Sequence, residues 1–164
     1  MSKEDQELLN EKKLAREGKY LTFALGHEDY GIEILKVMEI IKIMDVTSIP
    51  KAPDYVIGII NLRGKVIPVI SIRQKFNMPE EEYTSETCIV VVNLKNVLVG
   101  IVIDKVNEVV DISADAIEDP PSFGSSNYDG TILGIGKIDD TVKILLNIDK
   151  ILDEDLSLIG EVSS

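Results

Sequence analysis

Few residues of this chain have the types and spacing that catalysis requires. The one histidine, His27, falls in a predicted hairpin turn without a partner motif, so we expect a solvated turn residue rather than a general base. The one cysteine, Cys88, stands in an apolar run without a histidine partner, which favours a small buried side chain over a nucleophile. The sequence therefore does not indicate an enzyme.

The patterns that hold metal ions and phosphates are also missing from the sequence. Asp153, Glu154 and Asp155 form an acidic run, which we interpret as a solvated helix face because no ligand set at metal-binding spacing accompanies it. The glycines between positions 124 and 136 lack the strand-to-helix context of a phosphate-binding loop. We expect no cofactor and no metal ion.

Two opposite charges are candidates for recognition instead of catalysis. Arg63 is the one conspicuous charge within an apolar run from Ile57 to Ile72, and Glu39 lies near another predicted strand end. They form either an ordinary surface pair, which contributes about 0–1 kcal/mol, or a brace for a turn beside a binding face.

The run that contains Arg63 predicts a β-hairpin with its turn at Arg63, Gly64 and Lys65. Side chains alternate along an extended strand, and those from Val66 to Ile72 are apolar on both faces. We therefore expect this strand to be buried on both sides.

The rest of the chain predicts mostly short strands. Residues 1–18 are polar and form either a short helix or a frayed tail; we expect a mobile or weakly docked arm. Strands are predicted at 20–25, 30–34, 88–94, 97–103, 106–112, 131–138 and 142–148, with a bent strand or a helical turn leading into a strand at 35–44. We also expect one helical turn at 54–57, an acidic connector at 77–86, and an amphipathic helix from Lys150 to Val162.

The composition of the 164-residue chain limits the kinds of protein that it can be. Hydrophobic residues make up 45% and the net charge is −12, and an acidic surface repels phosphate backbones, so nucleic-acid binding is disfavoured. A single cysteine excludes an internal disulfide and fits a reducing cytosol. No apolar segment approaches the roughly 18 residues that a membrane span needs. We expect a soluble, cytoplasmic protein.

The two halves of the sequence match each other. Residues 25–43 align without a gap on residues 94–112, and residues 57–72 align on residues 133–148. Gly31 falls on Gly100 and Gly58 on Gly134, coincidences that an accidental match of valine-rich strands does not explain. We predict two similar barrels of about five strands, related by a pseudo-twofold axis and forming one composite unit because each half alone is marginal. Whether strands exchange between the barrels stays open.

Several motifs together resemble the CheW family, the adaptors of bacterial chemotaxis arrays, from about Tyr20 to Leu152. They are Tyr30-Gly31-Ile32-Glu33-Ile34, Val37-Met38-Glu39-Ile40, Ile57-Gly58-Ile59-Ile60-Asn61-Leu62-Arg63-Gly64, Pro68-Val69-Ile70-Ser71-Ile72-Arg73 and Val99-Gly100-Ile101-Val102-Ile103-Asp104. The resemblance implies a mainly β fold of two SH3-like five-stranded barrels, with a C-terminal helix. The domain would span residues 19–155, with the repeat boundary near 77–86, and the helix end and tail would occupy 156–164.

The resemblance also implies a function. Proteins of this family join the cytoplasmic tip of methyl-accepting chemoreceptors to the regulatory domain of the histidine kinase CheA, and further CheW copies are expected as partners in array rings. The expected location is the cytoplasm, with recruitment to membrane-associated arrays but no membrane insertion. An adaptor for a CheA-like kinase in another pathway is the alternative, and a small-ligand-binding barrel is a more distant one.

Seven residues match the family's binding motifs. As candidates for receptor or kinase contact, or for supporting it, the resemblance implies Val37, Glu39, Gly58, Arg63, Thr87 and Val109. Phe123 matches the loop that the family uses in a second interface, which extends the array. Val37 and Val109 are alternatively core residues, and Gly58 is alternatively a purely conformational requirement.

Overall fold

The computed structural model describes residues 2–120 and 130–153. The helices are α1 (Lys3–Arg16), α2 (Ile72–Lys75) and α3 (Ile148–Ile151), and 3₁₀ turns lie at Ile34–Lys36 and Ala114–Ala116. The strands are β1 (Gly18–Leu25), β2 (Glu28–Glu33), β3 (Val37–Lys42), β4 (Val56–Leu62), β5 (Lys65–Ser71), β6 (Cys88–Leu94), β7 (Val97–Ile103), β8 (Lys105–Ile112), β9 (Ile117–Glu118), β10 (Ile132–Ile138) and β11 (Thr141–Leu146).

These strands form two sheets, which are the two predicted barrels. Barrel one has the strand order β8-β1-β2-β11-β10-β9, and barrel two has the order β3-β6-β7-β5-β4. Most neighbours are antiparallel, but each barrel contains one parallel pair, β2 with β11 in the first and β5 with β7 in the second. The expected mainly β fold of two SH3-like barrels is confirmed.

The barrels exchange strands between the two halves of the sequence. Strands β1 and β2 come from the first half but lie in barrel one with β8, β10 and β11 of the second half. The parallel pairs make the exchange symmetric, since Gly31 lies opposite Leu145 in barrel one and Gly100 lies opposite Val69 in barrel two. Gly31 and Gly100 are matched positions of the repeat, and so are Val69 and Leu145. The repeat is therefore a structural pseudo-twofold relation.

The short helices repeat the same relation in their hydrogen bonds. The Ser71 hydroxyl accepts a bond of 3.2 Å from the Gln74 amide at the start of α2. The Asn147 side chain accepts a bond of 3.2 Å from the Lys150 amide at the start of α3. Each side chain satisfies an amide that the first helical turn leaves unpaired.

Three apolar cores hold the molecule together. One core lies within barrel two around Ile67 and Val91, and another lies within barrel one around Tyr20 and Leu145. The largest combines residues of both sheets, with Phe23 of β1 in the same cluster as Val90 of β6. The predicted composite unit is thus built on a shared core.

Three sequence-based expectations need correction. Residues 54–57 are not a helical turn, because Val56 already pairs with Ile70 at the start of β4. The hairpin strand is buried on both faces only toward its end, and Val66 is 66% exposed because it pairs with Asn61 beside the turn, beyond the segment of β5 that β7 covers. The C-terminal helix begins earlier than Lys150, as α3, and residues 154–162 of the predicted helix lie outside the described residues.

The N-terminal arm contains a helix, one of the two alternatives that its sequence allowed. Ser2 caps α1 by accepting a bond of 3.1 Å from the Asp5 amide, and β1 starts directly after it, at Gly18. The mobility of this arm stays a prediction. Among the described helices, α1 included, none combines the length and apolarity that crossing a membrane demands.

Candidate protein-binding surface

The structure distributes the seven predicted residues over both barrels. Val37 and Glu39 lie on β3 of barrel two, while Gly58 lies on β4 and Arg63 in the β4–β5 turn of the same barrel. Val109 lies on β8 of barrel one, Thr87 directly precedes β6, and Phe123 falls outside the described residues.

Glu39 and Arg63 form an ion pair between the two outer strands of barrel two. The Arg63 guanidinium donates to the Glu39 carboxylate, so the pair joins β3 to the end of β4 where the sheet curls round on itself. The turn is held in place because the Asn61 side chain accepts a bond of 2.9 Å from the Gly64 amide. The Arg63 side chain is 70% exposed, so most of its donor groups face solvent and are able to meet a partner's carboxylates.

Exposed apolar side chains accompany this ion pair. On β3, burial alternates so that Met38 and Ile40 point outward, at 58% and 44% exposure. Val66, next to the Arg63 turn on β5, is exposed as well. Barrel two thus presents exposed apolar side chains on its outer strand and a braced arginine in its turn, the mixed character of a protein-binding surface.

Gly58 supports this surface by its conformation. It is buried, its φ is 154°, and a Cβ there would lie 2.1 Å from the Thr47 carbonyl oxygen. That close approach allows Thr47 and Ile59 to exchange two backbone hydrogen bonds of 2.8 Å each. The structure thus favours the conformational interpretation of Gly58 over direct contact with a partner.

Thr87 is also buried, and its side chain contacts the connector that precedes β6. Its hydroxyl accepts a bond of 2.8 Å from the Thr84 amide, which closes a turn in the chain. Thr87 and Arg73 line a cavity of about 320 Å³ whose other wall is the acidic connector at 80–84. A contact with a partner through Thr87 would therefore be indirect.

The two candidate valines have different environments. Val37 is half-buried and packs against the largest core, which favours the core interpretation. Val109 is 49% exposed on the outer strand of barrel one. Its repeat-matched residue on barrel two is Ile40, which is similarly exposed. The structure leaves Val109 available for contact with a partner.

The sequence analysis missed an ion pair between Arg73 and Asp104. The Arg73 Nε donates a bond of 2.8 Å to Asp104, and a second guanidinium nitrogen donates to the other carboxylate oxygen. The bond from Arg73 and a further bond from the Gly26 amide hold the pKa of Asp104 below its usual value. The available signal was an arginine directly after an apolar strand, within the helix that Ser71 caps.

The single histidine and cysteine lie where the sequence placed them. His27 is exposed in the turn between β1 and β2. Cys88 is half-buried at the start of β6, and burial raises the pKa of its thiol. Within residues 2–120 and 130–153, no three histidine, cysteine or acidic side chains gather in a way that would hold a metal ion. The polar groups that do meet form ion pairs, an arrangement suited to recognition.

Comparison with known proteins agrees with this geometry. Residues 19–156 match the family model described as the CheW-like domain. The chain is 37% identical over 145 residues to the chemotaxis protein CheW of Klebsiella aerogenes, covering 88% of this chain and 87% of the relative. It is 32% identical over 139 residues to the chemotaxis protein CheW of Bacillus subtilis, covering 85% and 89%.

A solved structure shows the same architecture. The crystal structure of the scaffolding protein TtCheW from Thermoanaerobacter tengcongensis superposes with a TM-score of 0.73. The match has 34% sequence identity and covers 80% of this chain and 89% of that one.

Proposed function

This chain belongs to the CheW family of chemotaxis scaffold proteins, and from that premise we propose that it couples methyl-accepting chemoreceptors to the histidine kinase CheA. The proposed role is non-enzymatic, because it consists of binding both proteins at once. The proposed site of action is the cytoplasm, beneath the receptors. The motifs that support this role lie on described strands of both barrels.

The observation that carries the proposal is the Glu39–Arg63 pair, whose arginine is 70% exposed, on a barrel whose outer strand β3 also presents exposed apolar side chains. An arginine already oriented by a glutamate loses little conformational freedom on binding. We propose that this surface of barrel two engages one of the two partners.

Barrel one supplies the second surface of the proposal. Val109 is exposed on β8, and an exposed apolar side chain on an outer strand can take the apolar face of a partner helix. We propose that receptor helices dock beside Val109. Because each contact is modest, assembly would gain strength from several interfaces engaged together, contacts with further copies of this protein included.

A binding measurement tests the proposal. The purified protein is immobilised and exposed in turn to the CheA regulatory domain and to a fragment of the receptor cytoplasmic tip. We expect binding to both, whereas binding to neither contradicts the proposed function.

Substitution of Arg63 by alanine shows whether the barrel-two surface is responsible. We expect Arg63→Ala to weaken binding of one partner by about tenfold while the protein stays folded, because an arginine at an interface contributes strongly to binding. The matched control is Lys137→Ala, which breaks the exposed 2.5 Å pair with Glu118 on barrel one. Equal effects of the two substitutions would contradict a specific role for Arg63.

A further inference from the structure

The chain passes from one barrel to the other at two matched places. The first half crosses through the 3₁₀ turn Ile34–Lys36, between β2 and β3. The second half crosses at Asp104, which stands alone between β7 of barrel two and β8 of barrel one. The contacts at these two crossings decide how firmly the barrels are held relative to each other.

At the second crossing, Asp104 is bonded to both barrels. Its carboxylate accepts a bond of 2.8 Å from the Gly26 amide, and its own amide donates to the Ala24 carbonyl at 3.2 Å, both on the β1–β2 hairpin of barrel one. The same carboxylate accepts two bonds from Arg73, in α2 directly after β5 of barrel two. One aspartate thus links an amide of one barrel to a guanidinium of the other.

Arg73 is itself held firmly. Its side chain is only 10% exposed, and its third nitrogen donates a bond of 2.8 Å to the Pro79 carbonyl of the connector. A planar guanidinium that donates two bonds to one carboxylate fixes the angle between the groups as well as their distance. The joint at Asp104 is therefore directional.

The first crossing has a looser counterpart of this joint. The repeat places Asp149 where Arg73 stands, and it places Leu35, which is 92% exposed, where Asp104 stands. Asp149 of α3 pairs with Lys36 of the crossing turn at 2.7 Å, and both side chains are about a third exposed. A further pair, Lys95 with Asp153 at 3.4 Å, is more exposed still. A lysine ammonium is a point charge on a flexible stem, so these pairs tolerate changes of angle that a two-bond guanidinium contact does not.

We propose that the Arg73–Asp104 pair is a positioning joint that fixes the angle between the two barrels. The shared apolar core keeps the barrels together, but apolar attraction is non-directional and specifies their angle less sharply than the two bonds of the Arg73–Asp104 pair do. Because the binding surfaces lie on different barrels, the joint also sets the angle between them, a consequence that rests on the proposed scaffold function.

The angle is measurable without any partner. Backbone residual dipolar couplings of the weakly aligned protein give the orientation of each barrel separately. We expect Asp104→Leu, which copies the residue at the other crossing, to rotate the barrels relative to each other while couplings within each barrel still fit their own strands. Asp104→Asn keeps the shape and the acceptor for the Gly26 amide, so it tests the charge alone should the leucine variant not fold.

The matched control is Asp149→Asn, which breaks the Lys36–Asp149 pair at the first crossing. We expect this variant to keep the wild-type angle. The positioning role of the pair is refuted if the barrels keep the wild-type orientation in the folded Asp104 variants. It is also refuted if Asp149→Asn rotates the barrels as far as the Asp104 variants do.

Partner binding is the second readout. We expect simultaneous binding of the receptor-tip fragment and the CheA regulatory domain to weaken by about fivefold in Asp104→Leu, the size of effect typical of substitutions that act through coupling. If the wild-type protein binds neither partner, the proposed function is wrong. The orientation measurement still shows whether the Arg73–Asp104 pair fixes the angle between the barrels. A rotated variant that binds both partners as wild type would refute the link between joint and binding.

Discussion

At the scale of single residues, burial separates the candidates that can touch a partner from those that shape the surface. Arg63 and Val109 are exposed, whereas Gly58 and Thr87 are buried and hold backbone segments in place. Loss of function at a buried position would therefore come with a loss of stability, and loss at an exposed position would not. This distinction makes the roles of individual residues measurable.

Gly58→Ala should destabilise the protein by about 3 kcal/mol, because the new Cβ would collide with the Thr47 carbonyl in a strained backbone conformation. Urea unfolding measures the difference. Gly64→Ala is the matched control, since its φ is also positive, at 86°, but nothing lies within 4 Å of its missing Cβ. We expect this control to lower the free energy of unfolding by about 1 kcal/mol. A loss at Gly58 no larger than that at Gly64 would contradict the packing role.

Val109→Met should leave the melting temperature unchanged and weaken binding to the receptor-tip fragment more than binding to the CheA regulatory domain. The physical reason is that an exposed valine can enlarge without disturbing the core, yet alters the shape of the face it presents. Titration calorimetry with each partner measures the effect, and Val142→Met, at a valine of β11 that is 54% exposed, is the control. An equal loss for both partners, together with a lower melting temperature, would show that Val109 has a core role.

The Glu39–Arg63 pair was within reach of sequence analysis, and the Arg73–Asp104 pair was not. Arg63 stands out as a charge in a tight turn flanked by apolar runs, which itself suggests a surface position. Arg73 follows β5 in α2 and Asp104 follows β7, and only the parallel pairing of β5 with β7 brings them together. Contacts that depend on which strands pair cannot be deduced from alternation along a single strand.

At the scale of elements, the N-terminal helix is attached at its end rather than along its length. Arg16, the last residue of α1, donates bonds of 2.7 Å to Asp119 and 3.1 Å to the Leu133 carbonyl on barrel one. The Tyr20 hydroxyl donates a bond of 2.6 Å to the Arg16 carbonyl, and burial raises the pKa of Tyr20 to about 12. In contrast, Leu8 and Leu14 of α1 are more than half exposed.

Removal of residues 1–15 should leave the stability nearly unchanged, whereas Arg16→Ala in the full chain should cost about 2 kcal/mol. The alanine variant loses charged hydrogen bonds and leaves the Leu133 carbonyl without this donor. Urea unfolding of the two proteins makes the comparison. A large loss from the truncation would show that the helix body stabilises barrel one, and no loss from Arg16→Ala would show that the anchor is unimportant.

Most strands follow the alternation that the sequence shows, and the exceptions have local causes. The sequence predicts a helical turn at 54–57, but Val56 pairs with Ile70 across the sheet and begins β4 instead. The 3₁₀ turn before β3 was one of two alternatives, and its observed position reflects the crossing between barrels.

At the scale of the whole molecule, strand exchange joins the two halves into one folding unit. The repeat was evident from the matched glycines, but the exchange was not, because β2 and β7 carry the same pattern and either can pair with β5 or with β11. Since each barrel needs strands from both halves, neither half holds a complete barrel. The shared core between barrels reinforces this dependence.

The interbarrel joint should also affect stability in acid. Arg73 and the Gly26 amide hold the pKa of Asp104 below 3.8, so the unfolded chain takes up a proton at higher pH than the folded protein does. The contribution of the ionised aspartate is complete above pH of about 4 and is lost as the pH falls through the lower folded-state pKa. The difference in unfolding free energy between wild type and Asp104→Asn should therefore be constant near neutral pH and shrink in acid. A difference that grows as the pH falls would contradict this assignment.

The proposed bridge between receptor and kinase is tested by reconstitution. The most direct measurement combines membranes carrying a methyl-accepting chemoreceptor, purified CheA and this protein, and follows CheA autophosphorylation with and without the receptor's ligand. We expect the ligand to change kinase activity only when the protein is present, and we expect Arg63→Ala to weaken this response while Lys137→Ala does not. Receptor control of the kinase that is the same without the protein, or no control when all three components are present, would contradict it.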